Sequence, residues 1–203
     1  MSADRKDIDP HFDAEHGIPK NLPLYIDQAK LDRFEAAEAA DAIIRLVAKP
    51  IRGSFDRSHL KQIHSHIFRH VYSWAGEFRQ VNIHREGSYY FGAVQFIEPS
   101  LDRTFAQVAA EKLLKHLDAA ALAGRAAYYL GELNAIHPFR EGNGRAQREF
   151  IRELAAQAGH RINWGRISRT EMYAASIESH QYGRNGAFAA VIRSTIEPKR
   201  SSS

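Results

Sequence analysis

The stretch His137-Pro138-Phe139-Arg140-Glu141-Gly142-Asn143-Gly144-Arg145-Ala146-Gln147-Arg148 gathers an imidazole, a carboxylate, two close glycines and paired arginines, the groups that phosphate chemistry uses. From Arg145 onward Phe150, Ile151, Leu154, Ala155 and Ala158 trace one apolar face, and Gly159 stands where a left-handed terminator belongs. The spacing therefore predicts a helix from about Gly144 to Ala158. Its first turn carries Arg145 and Arg148 on one face, at the end where the helix dipole is positive and acids are preferred. A bound polyanion is the simplest compensation for that misplaced charge. Gly142-Asn143-Gly144 supplies the other half: glycines allow left-handed backbone, so successive N–H groups and the helix N-terminus can converge on a phosphate. The pattern is not the dinucleotide fingerprint, because Gln147 stands in the third glycine's place, nor a P-loop, which needs Gly-Lys-Ser/Thr. It implies a nucleotide cradle of another design. Glu141 beside a phosphate is repulsive unless a cation lies between them, which points to Mg²⁺ arriving with the nucleotide. Pro138 turns His137 out of helical geometry and ends the preceding helix. The imidazole left at the loop mouth has an ordinary pKa of ~6.5, which suits it to accept a proton.

Helical spacing surrounds this loop. Leu60, Ile63, His64, Ile67, Phe68 and Val71 form one buried stripe, and Leu31 to Val47 is Ala-rich and stops before Pro50. Pro99 to Leu117 opens with an early helical proline, and about Ala119 to Ile136 leads into His137. Ser168-Arg169-Thr170-Glu171 is a capping box, and a last short helix runs from Ala187 to Ile192 after the turn signal Asn185-Gly186. Residues 81–92 break the pattern, alternating with period two around Gly87, and predict a β-hairpin. A lone hairpin needs a larger body to lie on, so here it reads as a lid or as an edge that receives another chain. Pro10, Pro19 and Pro23 suggest an extended lead-in over residues 1–29; a frayed basic and serine tail is expected over 193–203, with neither end in the core. The expectation is one all-α domain over 30–192 carrying a hairpin.

The 203 residues hold 28 Lys+Arg against 24 Asp+Glu, a net charge of +4, with 11 His and no Cys. That balance excludes disorder, and no apolar run reaches the ~18–20 residues that span a bilayer. Absent cysteines exclude disulfides and thiolate metal sites and fit the cytoplasm; the N-terminus lacks a basic then apolar export signal. The positive balance favours polyanionic partners. Nucleic acid is one such partner, but the cations are scattered and no recognised binding motif concentrates them, so no direct nucleic-acid contact and no membrane contact are expected. Plainer readings stand beside the sharp ones. Arg145 and Arg148 alone could be a solvated helix face pairing with Glu149, and Arg152 with Glu153. His64 on its apolar stripe is a packing residue, and His66 and His70 lack the glutamate that a zinc-protease helix places after the first histidine.

At every specified position residues 137–148 resemble the signature of Fic-domain proteins, His-x-Phe-x-Asp/Glu-Gly-Asn-Gly-Arg-x-x-Arg. Ile67 to Arg79, with Trp74-Ala75-Gly76, is similar to the segment that precedes the active-site flap in that family, and the resemblance spans roughly residues 30 to 192. It implies a helical core with a β-hairpin flap over the active site, and a protein adenylyltransferase that moves AMP from ATP to a target hydroxyl and releases pyrophosphate. By matching position, His137 is the general base and Glu141 the Mg²⁺ ligand. Gly142, Asn143 and Gly144 form the anion hole, Arg145 holds the α/β-phosphates and Arg148 the γ-phosphate, with Gln147 counted among the ATP-binding residues. Ser88, Tyr89, Tyr90 and Phe91 fall on the flap, where they either register the target or nucleotide or simply pack the hairpin. Kinases of the same family carry a lysine where this chain has Gly144, which favours AMP transfer over a phosphotransferase or an inactive scaffold. The family's inhibitory Ser/Thr-x-x-x-Glu-Gly/Asn has one spacing match, Ser73 to Glu77, and Phe78 follows it, so the pattern fails. The expectation is inhibition in trans, by a small antitoxin whose glutamate meets Arg148. A chain with almost nothing beyond the Fic body fits the toxin of such a pair, with gyrase or topoisomerase IV subunits as implied targets.

Overall fold

Acidic and hydroxyl N-caps set the starts of most of the main helices. Asp27 accepts from the Lys30 N–H and opens α1 (Gln28–Ala48), and Asp56 accepts from the His59 N–H and opens α2 (Arg57–Phe68). α3 (Ile97–Ala110) places Pro99 in its first turn, and Asp118 caps α4 (Ala119–Ile136). α5 (Asn143–Gln157) starts on the glycine loop, Ser168 and Glu171 close a capping box on α6 (Arg169–Tyr182), and α7 is Gly186–Thr195. The computed structural model describes residues 9–85 and 89–197, apart from the side chains of 85 and 89.

α4 is the axis of the fold. Leu122, Ala126, Tyr129, Leu130 and Leu133 are buried on it, and α3, α5, α6 and α7 pack around it. α2 buries the expected stripe of Leu60, Ile63, His64, Ile67 and Phe68 between α1 and α5, with Val71 just beyond its end. At the end of α5, Gly159 takes the left-handed conformation that its position called for, and the His160 N–H closes back on the Ala155 carbonyl. No helix among the described residues is long and apolar enough to cross a membrane.

Four features differ from the sequence expectation. α3 ends at Ala110 rather than continuing to Leu117, because Lys112, Leu113 and Leu114 form a left-handed turn that buries Leu114. The lead-in is not simply extended: β1 (Phe12–Asp13) pairs with β2 (Ile18–Pro19), and His11 and Ile18 are buried. His11 stacks on Trp74, which supplies the apolar cover that two-residue strands lack. The expected tail begins later than 193. Thr195 is buried in α7, Ile196 bridges Ile162, and the Glu197 N–H reaches the Arg161 carbonyl. The flap hairpin is short, β3 (His84–Arg85) against β4 (Tyr89–Tyr90), with His84 opposite Tyr90 and Arg85 opposite Tyr89. The expected turn at Gly87 lies outside the described residues, as does Ser88.

Candidate functional site

The motif loop is a rigid brace between α4 and α5. His137 caps α4 in left-handed backbone (φ 50°, ψ 63°), which swings the chain away from the helix just before Pro138. The buried Asn143 side chain then closes the loop on itself, accepting from the Phe139 N–H at 2.9 Å and donating to the Phe139 carbonyl at 2.8 Å. Gly142 takes φ +76°, and a Cβ there would sit 2.3 Å from the Phe68 ring, so only glycine lets the loop rest on α2. Beneath it His64 donates from Nε2 to the Glu141 carbonyl (3.0 Å) and accepts the Gly76 N–H at Nδ1 (2.9 Å) while stacking on Phe139.

This brace turns backbone donors outward. Among the described residues the N–H groups of Gly142, Asn143 and Gly144 have no acceptor, while those of Arg145 and Ala146 both return to the Gly142 carbonyl. The donors line a cleft of about 800 Å³ that also receives His137, Glu141, Arg145 and Arg148. Asn143 thus serves through its backbone, since its side chain is spent on the loop. Gln147 is spent likewise: its amide donates to the Leu133 carbonyl at 2.8 Å and ties α5 to α4 at the cleft wall.

The two arginines differ in their surroundings. Arg145 pairs with Glu35 of α1 and lies over the Phe68 ring. Arg148 has no carboxylate partner among the described residues, and burial, together with the charge of Arg145, lowers its pKa. The plainer reading of a solvated face fails for the rest of α5. Arg152, Glu149 and Glu153 are buried and bonded together, with His59 completing the cluster at 2.9 Å from Glu153.

The His137 Nδ1 lies 3.3 Å from the Asn134 carbonyl; a carbonyl only accepts, so this contact puts the proton on Nδ1 and the lone pair on Nε2. Asn134 is in turn locked to Ser176 of α6 by two hydrogen bonds, of 2.9 and 3.0 Å. Phe91, one of the flap residues read as either a target or nucleotide contact or hairpin packing, lies flat on the His137 ring with centroids 3.7 Å apart and is only 9% exposed. Tyr90 faces outward, at 74% exposure.

Glu141 is the group that could hold a metal. Burial pushes its pKa up to about 7; Arg140 and Arg145 pull it down, while Glu35 and Asp32 push the same way as burial. A hard oxygen donor kept partly protonated by its setting and by other carboxylates is relieved by a divalent cation. No group of three or more His, Asp or Glu suited to a metal exists among the described residues. Mg²⁺ therefore fits only as an ion shared between one carboxylate, phosphate oxygens and water.

Several contributors had no local signal. Arg79 is buried and donates to the carbonyls of Val81, Gly92, Ile136 and His137. Trp164 donates to the Arg148 carbonyl from 16 residues away, and Leu130, Ile167, Met172 and Phe188 give the cleft an apolar end.

The helical domain thus gathers outward N–H groups at the foot of one helix, two arginines beside them and an oriented imidazole on one cleft. A profile of the Fic/DOC family matches residues 54–155. The chain belongs to that family. It is 46% identical over 188 residues to protein adenylyltransferase VbhT of Bartonella schoenbuchensis, covering 93% of this chain and 39% of that protein. It is 35% identical over 181 residues to a probable protein adenylyltransferase, y4lH, of Sinorhizobium fredii, covering 87% and 88% respectively. Its fold superposes on BepC of Bartonella tribocorum, a VirB-translocated effector solved with bound AMPPNP, with a TM-score of 0.84 at 26% identity over 90% of this chain and 93% of that one.

Proposed function

We propose that this chain transfers AMP from ATP to a side-chain hydroxyl of a target protein and releases pyrophosphate. The observation that carries the reading is the His137 imidazole, its lone pair set on Nε2, at the mouth of a cleft floored by outward N–H groups and two arginines. Relatives named as protein adenylyltransferases, one of them similar over most of its length, support it.

His137 Nε2 takes the proton of the incoming hydroxyl. The hydroxyl oxygen bonds to the α-phosphorus as the bond from that phosphorus to the β-bridging oxygen breaks, and the electron pair leaves with pyrophosphate. The N–H groups of Gly142, Asn143 and Gly144 receive charge that builds on the phosphate oxygens, and Arg145 and Arg148 hold the remaining phosphates. Because the donors are fixed by the Asn143 brace, they need no reorganisation as the charge shifts. Mg²⁺ held by Glu141 would neutralise phosphate charge when bound. The adenine belongs at the apolar end, against Leu130, Met172 and Phe188.

Lysate supplied with ATP labelled at either the α- or the γ-phosphate tests this directly. Label should pass to protein from the α position only, and His137→Ala should stop transfer while ATP still binds. Transfer from the γ position alone replaces this reading with a kinase.

The same proposal places the chain in the cytoplasm as a toxin held by a small antitoxin. Arg148, which lacks a carboxylate partner among the described residues, is the cation an antitoxin glutamate would meet. Expression alone should arrest growth, with relief by the antitoxin and by His137→Ala; gyrase and topoisomerase IV subunits are the first targets to assay. Harmless expression of soluble, folded wild type would overturn the toxin assignment.

A further inference from the structure

An acidic residue on the wall of a phosphate cleft is a contradiction that needs a cause. Glu35 on α1 lines the cleft that holds the nest, and both of its oxygens are engaged. Oε1 accepts from Arg145 Nη2 and Oε2 accepts from the Tyr72 hydroxyl. Its side chain is 14% exposed. Tyr72 is buried, and burial together with the Glu35 charge raises its pKa, so it remains a hydroxyl donor. Phe68, which also seats Gly142, backs the Arg145 guanidinium at 4.7 Å.

We infer that Glu35 is a positioning residue for Arg145, held by Tyr72 so that the guanidinium presents its remaining N–H groups to the nucleotide phosphates. Arg145 Nε and Nη1 make no hydrogen bond among the described residues, so pairing with Glu35 leaves donors for an incoming anion. A long arginine left to itself occupies many rotamers, and ordering it on binding costs affinity. Glu35 and Phe68 bear that ordering in the fold, before the nucleotide arrives. The opposite role, a carboxylate that competes with phosphate and is displaced by it, fits the socket poorly. Tyr72, buried just beyond the end of α2, holds Glu35 through its own hydrogen bond independently of Arg145, and a displaced Glu35 would keep a buried charge on one partner. The inference rests on reading the cleft as a phosphate site.

The test is binding of AMPPNP with Mg²⁺, and of adenosine, to wild type, Arg145→Ala, Glu35→Ala, Tyr72→Phe and the Glu35→Ala/Arg145→Ala double variant. Arg145→Ala should weaken AMPPNP by about tenfold, as loss of a charge-assisted contact does. Glu35→Ala should weaken it by about threefold or more and Tyr72→Phe by less, while adenosine affinity stays unchanged in both. In the double variant Glu35→Ala should add nothing to Arg145→Ala, the signature of action through that residue. Tighter or unchanged AMPPNP binding in Glu35→Ala overturns the inference, as does an equal loss for adenosine, which would mark a damaged fold. Should Glu35→Ala fail to fold, Tyr72→Phe and Glu35→Gln carry the same comparison. Unchanged binding in Arg145→Ala would instead remove the phosphate reading of the cleft, and the inference with it.

Discussion

The imidazole of His137 is oriented from two sides, by the Asn134 carbonyl at Nδ1 and by the Phe91 ring stacked on its face. A hydrogen bond of 3.3 Å alone is a weak constraint on a ring that turns about two side-chain bonds. The stack is what removes the second rotation. Phe91→Leu keeps an apolar group in the space but gives up the flat contact, so the base should spend less time aligned with the hydroxyl. Its AMP-transfer rate should fall by about tenfold or more. AMPPNP affinity should stay within about twofold, since Phe91 is not among the residues lining the nucleotide cleft. Stopped assays of α-label transfer alongside calorimetric titration separate the two effects. Equal losses in both would mean that Phe91 supports the cleft as a whole. The alternation that identified the hairpin could say that Phe91 and Tyr90 face opposite ways, but not that the inward one meets His137.

At the scale of elements, one side chain joins the flap to the end of α4. Arg79 donates to Val81 and Gly92, the two ends of the flap, and to Ile136 and His137, the last carbonyls of the helix. A cation at a helix C-terminus is favoured by the dipole, and this one has carbonyls rather than a carboxylate as partners, so burial pushes its pKa down to about 10. Lysine cannot reproduce the fork. Arg79→Lys should fold with a loss of about 1–3 kcal/mol for carbonyls left without donors. The amides of Phe91, Gly92 and Val94, which anchor the flap, should exchange faster with deuterium, whereas those of the α2 stripe should not. Uniformly faster exchange would show that Arg79 serves global stability instead.

Legibility follows the same division. The family could be read from residues 137–148 because the glycine loop and its arginines are contiguous, and the helices because their apolar spacing and caps are local. Glu35 meets Arg145 across 110 positions and Arg79 meets His137 across 58, contacts that no local pattern encodes. The Lys-Leu-Leu turn at 112–114 has helical propensity, and burial of Leu114 overrides it. Gln147 falls inside the same stretch, but that its amide bonds the Leu133 carbonyl 14 positions away is not encoded locally.

At the scale of the whole molecule, α2 is the rear wall of the site, and two buried histidines hold it there. His59 bonds Glu153 of α5, and His64 bridges Gly76 and the Glu141 carbonyl of the motif loop. Burial lowers the His64 pKa to about 3, with the charges of Arg145 and His11 adding to the effect and the Glu141 carbonyl opposing it. In the unfolded chain the same ring titrates near its ordinary ~6.5. Between those values the unfolded state binds one more proton than the folded state. The stability His64 contributes is therefore complete above pH 6.5 and is lost as pH falls toward 3, at ~1.4 kcal/mol per pH unit. Glu141 works the other way: with its pKa raised to about 7, the folded state binds the extra proton between there and the ordinary carboxylate value, so acid favours the fold. The two slopes cancel over much of pH 4.5–6.5, and an acid-unfolding curve of the wild type alone would hide both. The comparison to make is with His64→Gln, whose amide can replace the bond to the Glu141 carbonyl and takes up no proton. Urea unfolding in EDTA should find the variant less stable at pH 7.5, having lost the stack on Phe139 and the acceptor for Gly76. Its deficit should shrink by ~1.4 kcal/mol per unit as pH falls below 6.5 and then change sign. A deficit constant from pH 7.5 to 4.5 would mean that His64 titrates alike in both states, and that the motif loop rests on its shape alone.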